Sequence, residues 1–115
     1  MPGSPNEHEK LRLDDERMAE LHAALCGALA DGKRLRIMWF LGEGEKRVAD
    51  IADHLGISTQ NTSQHLRVMR DRGAVVARRK GNAVYYRVAN PKFIQGARLI
   101  REGLIEEWTW LGKLG

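Results

Sequence analysis

The sequence predicts a single domain that is mainly α-helical and carries one β-hairpin near its C-terminal end. Apolar residues recur at helical spacing in four successive segments between residues 14 and 72. Two stretches rich in β-branched and aromatic residues follow, 74–79 and 83–88, with a Gly-Asn turn between them. A last apolar stripe with helical spacing comes after the hairpin. The predicted order of elements is therefore α-α-α-α-β-β-α.

The size and composition of the chain suit one soluble globular domain with a modest core. The chain has 115 residues, of which 43% are hydrophobic and 30% are charged. No apolar run approaches the ~20 residues that a membrane-spanning helix needs, and the N-terminus lacks the apolar stretch of a signal peptide. We therefore expect a cytoplasmic protein that does not associate with membranes. Residues 1–13 are predicted to be a flexible tail, and residues 14–115 the folded domain.

The first two helices are predicted from apolar stripes that follow acidic residues. The first begins at Asp14, and acids in its first turn suit the positive end of the helix dipole. The second begins after Asp31, whose carboxylate can accept hydrogen bonds from the first backbone N–H groups of a helix. It is predicted to end at Gly42, since glycine commonly follows the last helical residue.

The third and fourth helices are separated by only about three residues. The third ends with Leu55, and Gly56 favours the left-handed conformation that closes a helix. Ser58 is predicted to cap the fourth helix. A connection this short between two helices is typical of a helix-turn-helix.

The fourth helix is predicted to bury one face and to leave its polar residues outside. Thr62, Leu66 and Met69 lie at positions i, i+4 and i+7, which share one side of a helix. Gly73 ends the helix, and the hairpin with its cationic tip follows. A helix-turn-helix followed by a hairpin is the winged-helix arrangement. The last helix is predicted to begin at Asn90, with Pro91 at its first position.

The outward face of the fourth helix carries residue types that read base edges in DNA. Glutamine and asparagine can pair bidentately with adenine, and serine can serve several bases. Arginines and lysines on this helix and at the hairpin tip suit phosphate groups. An ordinary polar surface would have a similar composition, but no acid occurs from Ser58 to Arg70. The candidate DNA-binding residues are Ser58, Thr59, Gln60, Asn61, Ser63, Gln64, Arg67, Arg70, Arg78, Arg79, Lys80 and Asn82.

The charge of the chain is unevenly distributed. Residues 56–88 hold seven basic residues and one acid, a net of +6, whereas residues 1–32 hold seven acids and three basic residues, a net of −4. A concentrated basic block is expected of a protein that binds a polyanion. A solvated basic face would leave the same pattern.

Several motifs together resemble one family of bacterial and archaeal repressors. They are Leu55-Gly56-Ile57-Ser58, the run from Thr62 to Arg70 that contains Ser63-Gln64-His65-Leu66, Gly73, and Arg79-Lys80-Gly81-Asn82 followed by Tyr85-Tyr86-Arg87-Val88. The segment from Asp31 to Ile37 resembles the opening of that family's second helix. The chain is in these respects similar to the ArsR/SmtB family, from about Met18 to its C-terminus.

The resemblance implies a homodimer that represses a promoter and is released by a ligand or a modification. A two-fold dimer would place two fourth helices on a pseudo-palindromic operator with half-sites about one helical turn apart. The family's dimer is joined through the first and last helices, although any apolar residue there could instead be buried within the protomer. The expected interface residues are Met18, Leu21, Leu25, Ile94, Ala97, Leu104, Trp108 and Leu111.

The metal-binding motifs of that family are missing. Where relatives have Cys-x-Cys at the start of the third helix, this chain has Arg47-Val48-Ala49-Asp50. Asn90, Lys92 and Gly103 stand at three positions where other relatives have ligands on the last helix, and only Glu106 is kept. Lysine and glycine cannot replace imidazole ligands. We therefore predict no metal and no cofactor.

Cys26 is the single cysteine and hence the one candidate redox sensor. Burial as a small hydrophobic residue is the favoured interpretation, since it lies beside Leu25 on an apolar stripe. The effector, a small molecule or a redox species, is not identified by the sequence.

The sequence predicts a transcriptional regulator that binds double-stranded DNA. An enzyme is not expected, because no glycine-rich phosphate loop and no nucleophile–base pair at a recognisable spacing is present. The alternatives are a winged helix used for protein interaction and a DNA-architectural protein that needs no effector.

Overall fold

The computed structural model describes residues 14–110 and Gly112. The expected tail 1–13 and the interface residue Leu111 therefore lie outside the described residues. The elements in chain order are α1 (Asp15–Ala28), α2 (Gly32–Leu41), β1 (Lys46–Arg47), α3 (Val48–Leu55), α4 (Thr59–Asp71), β2 (Val75–Lys80), β3 (Ala83–Val88) and α5 (Pro91–Trp110). The predicted five helices and the hairpin are confirmed. The short strand β1 was not predicted.

The helices begin where polar side chains accept hydrogen bonds from otherwise unpaired backbone N–H groups. The Asp14 carboxylate accepts from the N–H of Arg17 at 2.7 Å, and the Asp31 carboxylate accepts from two N–H groups of α2. The Asn90 side chain accepts from the N–H of Lys92 at 2.9 Å. The predicted starts of α1, α2 and α5 therefore have a physical cause in the structure.

The three strands form one antiparallel sheet in the order β1-β3-β2. The hairpin pairs Val75 with Val88 at its base and Lys80 with Ala83 at its tip. On the other side of β3, Arg47 of β1 pairs with Tyr85. The base of the sheet belongs to the core, and its distal end extends away from the helices as a wing.

The core lies between α2, α3, α4 and the base of the hairpin. Its largest fully buried side chains are Ile37, Met38, Ile51, Leu66, Met69, Val75 and Thr62. Burial of this apolar surface is the main stabilising contribution to such a domain. It also fixes the orientation of α4, since three of these side chains belong to that helix.

Helices α1 and α5 each leave an apolar face uncovered by the protomer. Met18 and Leu21 on α1 are 41% and 43% exposed, and Ile100 and Leu104 on α5 are 67% and 54% exposed. These faces line a groove of about 810 Å³. Exposed apolar surface of this extent commonly marks an interaction site.

Cys26 lies at the rim of this groove, and its position corrects one interpretation of the sequence. The thiol is exposed in the protomer rather than buried as a small hydrophobic residue. The inward side of this part of α1 is instead taken by Ala28, which is fully buried.

Across residues 14–110, no helix combines the length and the apolar character that crossing a bilayer requires.

Candidate nucleic-acid interface

The turn between α3 and α4 determines where α4 begins. Gly56 closes α3 with a φ of 72°, which is a left-handed conformation that side chains disfavour. The hydroxyl of Ser58 accepts from the N–H of Asn61 at 3.0 Å, and the hydroxyl of Thr62 donates to the carbonyl of Ser58 at 2.9 Å. These hydrogen bonds satisfy buried or terminal polar groups at the start of α4. The predicted cap and turn are both confirmed.

Burial divides α4 into two faces. Thr62, Leu66 and Met69 are each 0% exposed, as the helical spacing predicts. The opposite face is polar and exposed, with Asn61 half-buried at its margin. That face consists of Thr59, Gln60, Ser63, Gln64, Arg67 and Arg70. The candidate residues on α4 are thus brought to one surface, at which amides and hydroxyls precede arginines.

The wing carries two exposed cations at its tip. Gly81 adopts a φ of 63° in the turn, which lets β2 and β3 reverse direction within two residues. Arg79 and Lys80 are exposed beside this turn, as is Asn82. Within the described part of the chain, neither Arg79 nor Lys80 forms an ion pair. Their charges are therefore available to a polyanion.

Arg78 differs from the other wing cations because its guanidinium is paired. Its Nε donates to Oε2 of Glu45 at 3.0 Å, and its Nη2 donates to Oε1 at 2.8 Å. The hydrogen bond from Arg78 lowers the pKa of Glu45, and the same contact raises the pKa of Arg78. Sequence reasoning missed Glu45, since 33 positions separate the two residues and no local pattern links them.

Arg67 and Arg70 occupy the later turns of α4. Both are exposed, and Arg70 lies 3.9 Å from the carboxylate of Asp71 at the end of the helix. An exposed pair at this distance constrains an arginine weakly. Both guanidiniums can therefore reach a phosphate beyond the polar N-terminal part of the face.

The described residues contain no group of three or more His, Cys, Asp or Glu side chains that could hold a metal ion. Asn90, which stands at one of the positions where relatives have a metal ligand, caps α5 through its side chain. His65, on α4, is half-buried.

A short-turn pair of helices followed by a cationic β-hairpin defines the class of winged-helix DNA-binding proteins. The sequence model of the family described as "Bacterial regulatory protein, arsR family" matches residues 31–75. An uncharacterised HTH-type transcriptional regulator of Mycobacterium tuberculosis is 33% identical over 93 residues, which are 80% of this chain and 82% of that protein. The chain belongs to the ArsR family. It is a transcriptional regulator with a DNA-binding winged helix and not an enzyme.

Two further similarities agree with this assignment. A protein named biofilm growth-associated repressor, from Xylella fastidiosa, is 34% identical over 84 residues, covering 73% of this chain and 74% of that one. The solution structure of a homodimeric winged helix-turn-helix DNA-binding domain from Mycobacterium bovis superposes with a TM-score of 0.74. It is 29% identical, and the similarity covers 92% of each chain.

Proposed function

We propose that the protein is a homodimeric repressor that binds a pseudo-palindromic operator through α4 and the wing. The observation that carries this proposal is the exposed polar face of α4, opposite three side chains that are fully buried. Because the buried face of α4 packs on the core, the opposite face can enter the major groove without any change in that packing. Its first turns carry amides and hydroxyls, which pair with base edges, and its later turns carry arginines.

The wing supplies the contacts that position the protein on the duplex. Phosphate contacts give affinity and register, whereas base contacts give sequence preference. Arg78 is left out of the proposed set, because its guanidinium is held by Glu45. The proposed DNA-binding residues are Ser58, Thr59, Gln60, Asn61, Ser63, Gln64, Arg67, Arg70, Arg79, Lys80 and Asn82.

The uncovered faces of α1 and α5 support the dimer. Ile94 and Ala97, which were expected at the interface, are 7% and 8% exposed and belong to the core of the protomer. They pack α5 against the core and are not among the proposed interface contacts. The proposed contacts are the exposed or half-buried apolar residues on the two helices, together with Leu111, which lies outside the described residues and continues the stripe in the sequence. They are Met18, Leu21, Leu25, Leu104, Trp108 and Leu111. The M. bovis relative, whose fold is similar, is homodimeric.

The operator and the release step follow from a two-fold dimer. Two copies of α4 related by symmetry require half-sites about one helical turn apart, roughly 10 base pairs centre to centre. A regulator of this kind acts in the cytoplasm, where bacterial DNA is transcribed. An effector that alters the dimer would change the distance between the two α4 helices and so weaken operator binding. Cys26, exposed beside the proposed interface, is the candidate for a redox effector.

The proposal is tested by selecting duplexes from a random library with the purified protein. The expected result is enrichment of an inverted repeat with that spacing, bound by two protomers. Binding without enrichment of any sequence would indicate an architectural protein instead. A sample that retains no duplex at low or moderate ionic strength would indicate a protein-interaction module.

A further inference from the structure

The ion pair with the shortest distance among the described residues joins Arg78 of the wing to Glu45. Arg78 and Glu45 are joined by two hydrogen bonds, of 3.0 and 2.8 Å. Two parallel bonds between a guanidinium and a carboxylate fix the relative orientation of both groups. The other ion pairs within the described residues have single distances of 3.2 to 3.9 Å. The bridge is therefore a defined geometric contact rather than a loose surface pair.

The position of the bridge in the sheet shows what it connects. Tyr85 on the central strand β3 pairs with Arg78 of β2 on one side and with Arg47 of β1 on the other. The guanidinium of Arg78 lies 5.8 Å from the centre of the Tyr85 ring. It thus extends across β3 to Glu45, the residue just before β1, and ties the two edge strands together.

The base of the sheet packs on the core through the buried Val75 and the partly buried Tyr86 and Val88. Nearer the tip the sheet has the two-residue strand β1 beside it, and there Nζ of Lys46 lies 4.7 Å from the centre of the Phe40 ring of α2. The Arg78 bridge adds a second link to the helices at this level. Glu45 lies between α2 and α3, so the bridge links the wing to the helix-turn-helix.

The electrostatic surroundings of Glu45 keep the bridge ionised. Besides Arg78, the charges of Arg87 and Lys80 lower the pKa of Glu45. The carboxylate occupies the Nε and Nη2 side of the guanidinium, which is one of the two sides that can hold a phosphate through paired hydrogen bonds. A phosphate bound at the remaining Nη1 end would lie close to the Glu45 carboxylate and would be repelled by it.

We propose that Glu45 is a positioning residue for DNA binding, which acts through Arg78. The bridge holds the wing at the angle at which Arg79 and Lys80 reach phosphates, and Arg78 itself makes no phosphate contact. This inference rests on the proposed function, in which α4 and the wing bind one duplex together.

The first test uses the sign of an electrostatic effect. Glu45→Gln removes a negative charge near DNA, so a simple charge effect would tighten operator binding. A positioning role predicts the opposite, a loss of about two- to fivefold, the range expected for one exposed ion pair. Glu43→Gln is the matched control, since Glu43 is an exposed acid nearby that forms no ion pair with the described residues. Binding by Glu45→Gln that is unchanged or tighter overturns the inference.

The second test exchanges the two charges. The double variant E45R/R78E can form the same bridge in reverse and has the same net charge. We expect it to bind operator roughly tenfold more tightly than R78E alone, whose two carboxylates would repel each other. If Arg78 contacts a phosphate, the double variant places a carboxylate there. It would then bind no better than R78E, and the inference would be wrong.

The same titrations separate this inference from the proposed function. Failure of the proposed function appears in the wild-type protein, as equal binding to operator and to scrambled duplex. Failure of the inference appears only in the variants, while the wild-type protein keeps its preference. Thermal unfolding of each variant shows whether it is folded at the temperature of the titration.

Discussion

Removal of the wing cations should change how DNA binding depends on salt. Each phosphate that a protein neutralises on duplex DNA contributes about 0.9 to the slope of log K against log salt concentration. Arg79 and Lys80 are exposed and form no ion pair with the described residues. A dimer presents four such cations, so replacing both residues by alanine should reduce the slope by up to about 3.6. Between 50 and 200 mM salt, the loss of affinity would then be about 150-fold smaller than for the wild-type protein.

The assay is a fluorescence anisotropy titration of a labelled operator duplex at several salt concentrations. A scrambled duplex should show a similar reduction in slope, because phosphate contacts are independent of sequence. Arg17→Ala is a suitable control, since this exposed cation lies on α1, which carries none of the proposed DNA-binding residues. A double variant whose slope equals that of the wild-type protein would refute the assignment of the wing to the phosphate backbone.

Three further predictions concern stability, measured by urea unfolding at fixed protein concentration. Leu66→Ala should lower the free energy of unfolding by about 2–5 kcal/mol, because the side chain of Leu66 is fully buried. A loss below about 1 kcal/mol would contradict the packing of α4 against the core. Gly56→Ala should cost about 1 kcal/mol, because its φ of 72° is left-handed, whereas Gly32→Ala, with helical backbone and open space, should be neutral or slightly stabilising. Backbone N–H groups, first that of Arg34, lower the pKa of Asp31 below its ordinary value of 3.8. The stabilisation that the ionised Asp31 provides is therefore present above that pH and is lost as the pH falls through the lower pKa of the folded state. Asp31→Asn should keep the helix cap but make the free energy of unfolding depend less steeply on pH in this acid range. An equally steep dependence in the variant would contradict this role of Asp31.

The parts of the fold that local chemistry determines could be predicted from the sequence. Gly56 and Ser58 lie within three residues of each other, and each acts on its own backbone, so the helix-turn-helix was evident. The Gly81-Asn82 turn likewise specified the hairpin. On α4, periodicity alone separated the buried face from the exposed one, because three side chains at helical spacing face the core.

The features that the sequence did not reveal depend on distant partners. Strand β1 has two residues, too few for an alternating pattern, and it is a strand only because it pairs with β3. The bridge between Glu45 and Arg78 joins residues 33 positions apart. Cys26 was expected to be buried because it follows Leu25, but the apolar stripe of α1 continues onto a face that the protomer leaves uncovered. Burial of an apolar helix face depends on which surfaces meet, and spacing cannot show that.

The central claim is that the exposed amides of α4 read base pairs, and one comparison tests it most directly. Gln64→Ala and Gln95→Ala remove the same side chain, from the polar face of α4 and from an exposed position on α5. Their affinities are measured for the selected operator and for a scrambled duplex of equal length and composition. We predict that Gln64→Ala loses about 1–3 kcal/mol per contacted half-site on operator alone, while Gln95→Ala matches the wild-type protein. An equal loss on both duplexes, or none on either, would contradict base reading by α4.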